Sequence, residues 1–334
     1  MKKYLSLILV SVLLFSCNDK ESRKKMLPTP TGKSGEVAVF INQEQYKGEL
    51  GLSLKKVLMA PNIGLPQEEP LFNVISLPLE SFNSLSQRYR NIVFIKKSKS
   101  GKSNIKIEKD RWASPQSVIT IYGPDYNSIQ KQIEDNKEKI SGFFENAEYD
   151  IMMNYNEKHH QKGIARKLSK KFKITLDCPP GYSIDLDTTG FVWIAHETPT
   201  TSQGIFVYEQ PYTSVELFNK DNIIAKRNEM LKMYVHGPSD GSFMTTEDQY
   251  DTYVSTYDRG VGYTTELRGL WKLEKDFMGG PFVSYTCLDK ERNRIVTVEG
   301  YVFAAKQKKR NYLRQVDAIL RSLKFDADEY KGDK

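Results

Sequence analysis

Apolar positions along the chain change period several times, and each change marks an element. Glu36-Val37-Ala38-Val39-Phe40-Ile41 is a short apolar run of strand type, and Leu50, Leu52, Leu54, Val57 and Leu58 then recur at helical spacing until Pro61 ends the pattern. Phe72-Asn73-Val74-Ile75 predicts a second strand, Ser81 to Tyr89 a short helix opened by a capping serine, and Asn91-Ile92-Val93-Phe94-Ile95 a third strand. Ser117 to Tyr122 reads as another strand, and Ile129, Ile133, Ile140 and Phe144 mark a long helix beginning after Asp125. This alternation predicts βαβ units and a mixed α/β domain over residues 35–150.

Residues 151–171 are polar and basic, with Lys158, Lys162, Arg166, Lys167, Lys170 and Lys171, and predict a helical linker. The texture then changes. Phe172 to Leu176, Phe191 to Ala195 and Gly204 to Tyr208 are strand-like runs punctuated by Pro179-Pro180-Gly181 and Thr188-Thr189-Gly190. One helix is expected over Val215 to Val235. Four more strands follow at Tyr253–Tyr257, Thr264–Leu273, Phe282–Leu288 and Ile295–Ala304, the last two joined as a hairpin through Asp289-Lys290-Glu291-Arg292-Asn293. A closing helix carries Tyr312, Leu313, Val316, Ile319, Leu320 and Leu323 on one stripe. The fold class is therefore α+β: two mixed α/β domains, the second (172–325) an antiparallel sheet packed with helices, with a polar tail at 326–334.

The first residues have a different logic. Lys2 and Lys3 precede an apolar run from Tyr4 to Phe15, which matches a secretory signal peptide over residues 1–16. That run is shorter than the roughly 20 residues a membrane-crossing helix needs. Leu14-Phe15-Ser16-Cys17 resembles the lipobox of bacterial lipoproteins, which implies that Cys17 becomes the mature N-terminus and the lipid attachment site, carrying palmitate-type acyl chains. More than one chain gives stable attachment, since each buried methylene contributes about 0.8 kcal/mol. Residues 17–34, rich in charge with Pro28, Pro30 and Gly32, then read as a flexible tether. The expected location is the cell envelope, lipid-anchored to the inner or outer membrane.

Composition adds limits. In 334 residues the apolar fraction is 39% and the aromatic fraction 11%, enough for two cores. The net charge of +7, or +5 once Lys2 and Lys3 leave with the signal, is spread along the chain. With export, this argues against a nucleic-acid partner; the basic clusters read as solvated faces, with contact to anionic lipid or glycan the alternative. With Cys17 acylated, Cys178 and Cys287 are the two thiols left to pair in a disulfide, against the alternative of separate buried thiols.

Candidate chemistry is thin. Gly237-Pro238-Ser239-Asp240-Gly241 has the letters of a nucleophile elbow, but that motif needs a strand leading in and a helix leading out. Gly32-Lys33-Ser34 and Gly101-Lys102-Ser103 lack the earlier glycine of a phosphate-binding loop. His159-His160, His196 and His236 show no metal spacing, so no metal, cofactor or catalytic set is expected. Tyr253, Tyr257, Tyr263 and Trp271 are candidate ligand-cleft aromatics, with Asp248, Asp251 or Glu266 as acceptors; cross-strand packing is the competing reading.

Several runs carry a family likeness: Gly64-Leu65-Pro66-Gln67-Glu68-Glu69-Pro70-Leu71-Phe72, Trp112-Ala113-Ser114-Pro115-Gln116, Gly279-Gly280-Pro281-Phe282 and Gly300-Tyr301-Val302-Phe303-Ala304 among them. Together they resemble an uncharacterised Bacteroidetes lipoprotein family, the domain of unknown function 4837 family, which implies a compartment and no catalytic residues. From Pro179 to Leu323 the order of elements also resembles PsbP-type folds. The expectation is a membrane-anchored envelope lipoprotein that binds an envelope protein or a glycan. A hydrolase of envelope polymer or glycan is the first alternative, marked by two carboxylates about 5–10 Å apart in a cleft, and a structural or assembly factor the second.

Overall fold

The computed structural model describes residues 26–325. The expected signal peptide, Cys17, the start of the tether and the tail at 326–334 lie outside the described residues.

The N-terminal half runs β1 (Glu36–Phe40), α1 (Gln43–Lys47), α2 (Glu49–Leu58), β2 (Asn73–Leu77), β3 (Asn91–Lys97), β4 (Asn104–Lys109), β5 (Ser117–Gly123), α3 (Tyr126–Asp135) and α4 (Lys137–His159). Its sheet has the order β2-β1-β3-β5-β4, parallel except for β4. Alternate residues face opposite ways, so Val37, Val39, Val93, Ile95, Ile119 and Ile121 meet the helices while Ala38, Phe40, Ile92, Phe94 and Val118 face loops. The helix expected over Ser81–Tyr89 is instead two short 3₁₀ turns, Leu79–Ser81 and Ser86–Arg88. Tertiary packing overrides the helical pattern there: Phe82 inserts edge-on against Phe40, Phe94 and Trp112, and the Asn83 side chain accepts from the N–H groups of Leu85 and Ser86. The single long helix expected after Asp125 breaks at Asn136 into α3 and α4.

The C-terminal half begins with α5 (Lys162–Phe172) and β6 (Ile174–Thr175), then β7 (Ser183–Thr188), β8 (Phe191–Glu197), β9 (Thr201–Pro211), α6 (Lys220–Tyr234), β10 (Phe243–Thr246), β11 (Tyr253–Asp258), β12 (Tyr263–Glu274), β13 (Gly279–Asp289), β14 (Arg294–Ala304), α7 (Arg310–Arg321) and β15 (Lys324–Phe325). Eight strands form one antiparallel sheet, ordered β10-β12-β13-β14-β9-β8-β7 with β11 also on β12. The fold is thus α+β. One face, with Val192, Ile205, Val283, Tyr285 and Val298, packs on α5 and α7; the other, with Phe206, Trp271, Phe282 and Tyr301, packs on α6.

The basic segment expected as a linker is helical, but its apolar side is core. Ile164, Leu168 and Phe172 are buried in the same cluster as the sheet, leaving the lysines outside. Cys178 and Cys287 belong to that cluster as free buried thiols, with no bridge between them. Strand pairing sets Cys287 opposite Thr264, whose hydroxyl donates to the Gly262 carbonyl at 2.9 Å and whose oxygen lies 3.4 Å from the Cys287 sulfur. Burial pushes the Cys287 thiol up to about 11, so it stays protonated at neutral pH.

The two halves share a polar seam. Asp317 of α7, fully buried, accepts from Tyr149 of α4 (2.7 Å), Tyr285 (2.6 Å), Arg268 (2.6 Å) and Arg321 (3.0 Å). Within the N-terminal half Glu148 collects Ser34 (2.6 Å), the Gly35 N–H (3.1 Å), Arg90 (3.2 Å) and Asn91 (2.9 Å). The end of the expected tether is therefore fastened down: the Ser114 N–H donates to Pro28, Arg88 to Thr29, and Thr31 pairs with Tyr89. Among the described residues no helix is long and apolar enough to cross a membrane.

Candidate functional site

On the α6 face of the C-terminal sheet lies a cavity of about 260 Å³. Aromatic rings dominate it: Trp193 from β8, Trp271 from β12, and Tyr301 and Phe303 from β14. The pleat explains the grouping, because residues two apart on a strand share a face and directly paired residues do too. Tyr301 lies within 6.4 Å of Trp193 and 5.6 Å of Trp271, both in edge-on contact, and stacks on Phe206 at 5.0 Å. Two glycines make room. A Cβ at Gly204 would stand 2.0 Å from the Tyr301 ring, and one at Gly280 would stand 2.0 Å from the Val302 carbonyl, the acceptor of the Trp271 indole N–H at 3.3 Å.

The polar edge comes from the β8–β9 turn and the segment after α6. Ser202 donates to Glu197 at 2.5 Å and stands 3.2 Å from the Tyr301 hydroxyl. A serine hydroxyl has one hydrogen, so with it committed to Glu197, Tyr301 donates to Ser202, giving a relay that ends on the carboxylate. Burial raises the Tyr301 phenol far above its ordinary range, so it remains a donor. Thr198 and Thr201 share hydroxyl contacts at 2.7 Å, Gln307 donates to Thr200 at 3.1 Å, and His236 with Gly237 and Pro238 closes the opposite side. Glu197 is the carboxylate among the lining residues, so this cavity supplies one acid and not a facing pair.

The structure does not bring the four expected aromatics together. Trp271 forms part of the floor. Tyr253 and Tyr257 lie on β11 opposite Arg268 and Thr264, so they share the α7 face of the sheet, and both are exposed. The Tyr257 hydroxyl donates to Glu266. Tyr263 stays on the Trp271 face but far along the strand, edge-on to Phe218 at 4.9 Å. Of the expected acceptors, Glu266 pairs with Arg268 at 2.5 Å and Asp248 with Lys272 at 3.0 Å, both away from the cavity.

Trp193, Tyr301, Phe303, Glu197, Ser202 and His236 were not legible as a site from sequence. The available signal was the i, i+2 pair Tyr301 and Phe303 within a strand run, which only strand order connects to Trp193 and Trp271. The elbow-like Gly237–Gly241 segment is a tight turn into β10, closed by Gly237 N–H to Ser242 at 3.0 Å, with the Ser239 hydroxyl spent on Asp276 at 2.6 Å.

A second cavity of about 440 Å³ lies between the halves, lined by Arg90, Glu148, Tyr155, Tyr182, His196 and Gln315 among others. Arg90 and Glu148 there are already paired with each other.

Residues 161–322 match the family described as Domain of unknown function (DUF4837), and residues 30–157 match the one described as Domain of unknown function (DUF8532). No curated protein matches the chain.

Proposed function

We propose, for a chain whose residues 161–322 match the DUF4837 family, that the protein is a lipid-tethered envelope lipoprotein whose C-terminal domain binds the end of a glycan in its aromatic cavity. The observation that carries this reading is the pairing of an aromatic lining with a hydroxyl–carboxylate relay at one edge. A sugar has the matching character: C–H faces that rest on aromatic rings and hydroxyls that need donors and acceptors at the rim. The volume of about 260 Å³ lies just under the roughly 300–1,000 Å³ of sites for drug-sized ligands, which suits one ring. Glu197 accepts from a sugar hydroxyl, and the Ser202–Tyr301 relay holds that carboxylate in place.

Two of the chain's three tryptophans line the cavity, so their fluorescence reads occupancy directly. Titration with hexoses and N-acetylhexosamines should give a saturable change, and Glu197→Gln should weaken binding about tenfold, the equivalent of roughly 1.4 kcal/mol. Failure of every sugar to saturate, or an unchanged affinity in Glu197→Gln, overturns the glycan reading. The tether has its own test. Cys17→Ala should abolish acyl labelling in cells, and labelling that persists removes the anchor.

A further inference from the structure

Residues 158–173 carry seven lysines and arginines and no acid. Helix α5 turns Ile164, Ala165, Leu168 and Phe172 inward and leaves Lys162, Arg166, Lys167 and Lys170 exposed. The spacing of i, i+4, i+5 and i+8 collects these four cations on one stripe. Asp187 neutralises part of it, pairing with Lys167 at 2.7 Å and Lys171 at 2.6 Å. Among the described residues no acid pairs with Lys162, Arg166 or Lys170.

The stripe begins where the N-terminal segment meets the body. Pro28 is held by the backbone N–H of Ser114 at 3.0 Å. The neighbouring Pro115, Gln116 and Ser117 share a surface cavity with Lys109, Asp110, Asp150 and the α4 residues Lys158 and His159. Lys109 pairs with Asp150 there at 3.5 Å, which leaves Lys158 to extend the basic stretch. From Lys158 the chain passes directly into α5.

We propose that the exposed face of α5, with Lys158, docks on an anionic lipid surface. The charge complementarity is direct: a helix face with cations at successive turns meets a plane of negative head groups, and its apolar side is already spent on the core, so the contact is electrostatic and peripheral. Each cation brought to such a surface strengthens partition about fivefold, the equivalent of roughly 1 kcal/mol. The inference deepens the tethered reading, and its test omits the lipid so that the two fail separately.

A chain beginning at Asn18 keeps every residue of the described fold. It is co-sedimented with phosphatidylcholine vesicles with and without about 30% phosphatidylglycerol at low salt, where attraction over roughly 10 Å or more survives screening. Binding should require phosphatidylglycerol and fall away near 1 M salt, where the screening length drops to about 3 Å. Combining Lys162→Glu, Arg166→Glu and Lys170→Glu should lower partition by roughly 100-fold or more. The same charge change at Lys99, Lys102 and Lys131, on exposed positions of other elements, should alter it by less than about threefold, because it leaves the α5 stripe intact. Equal losses in the two triple variants, indifference to phosphatidylglycerol, or tighter binding to a soluble sulfated polysaccharide than to the vesicles each overturns the proposal. Acyl labelling of Cys17 reports on the tether independently of these results.

Discussion

Asp317 keeps its charge without touching solvent because four donors converge on it. Burial alone would push its carboxyl up, but Arg268 and Arg321, helped by the phenols of Tyr285 and Tyr149, outweigh that and hold it well below the usual carboxylate range. The same contacts act in reverse on Tyr149, whose phenol is raised by burial and by the Asp317 charge. A carboxyl depressed in the folded state contributes stability that is complete above its unfolded value, about 4, and is lost as pH falls through the folded value. Asp317→Asn should therefore destabilise the protein at pH 7 by about 1–3 kcal/mol, since the half-buried Arg321 loses its carboxylate and Arg268 keeps only Glu266. In urea denaturation the gap between wild type and variant should narrow on acidification below about pH 4; a gap that stays constant to pH 2 would mean that Asp317 does not titrate as argued. None of this was legible in sequence. Asp317 sits within a helix written Leu313-Arg314-Gln315-Val316-Asp317-Ala318, and its partners Tyr149 and Tyr285 lie 168 and 32 residues away.

Among the elements, those with long apolar runs or clear helical periods follow the pattern in the chain, and those decided by tertiary contact do not. The hairpin β13–β14 and the stripe of α7 fall where their residues predict. Strands β4 and β7 escape notice because each is a half-buried edge strand whose alternation, Ile105 with Ile107 and Ile184 with Leu186, is diluted by charge. Helix α5 shows the opposite failure: its lysine count suggests a solvated linker, while Ile164, Leu168 and Phe172 recur at core spacing between them. Leu168→Ala should cost about 2–5 kcal/mol, as for a fully buried leucine. Lys170→Ala on the exposed side should stay within about 0.5 kcal/mol. Midpoints of denaturant unfolding distinguish the two, and a small effect at Leu168 would restore the linker reading.

For the whole molecule, the two matched family regions, 30–157 and 161–322, meet at the break between α4 and α5, yet buried polar contacts cross that boundary, Tyr149 to Asp317 among them. Lys309 and Arg310 donate backbone N–H groups to Glu69 at 2.6 and 3.3 Å, and Arg314 donates to the Leu71 carbonyl at 2.7 Å. The division into two α/β parts was therefore legible from the change in texture, whereas the seam was not, because it is made of isolated polar residues inside otherwise ordinary elements. The aromatic cavity escaped for the same reason: its walls come from β8, β9, β12 and β14, which are neighbours only after the sheet has been assembled. The fastening of residues 28–34 onto the body also sets a reach. If the proposed attachment at Cys17 holds, the ten residues 18–27 between it and the fastened Pro28 would span at most about 36 Å at roughly 3.3–3.6 Å per residue. A body so attached would sample only a thin layer above the bilayer. Its encounters with other surface-bound molecules would then depend on their density in that layer, so that a weak single contact would be well occupied there while being negligible for a dilute solute.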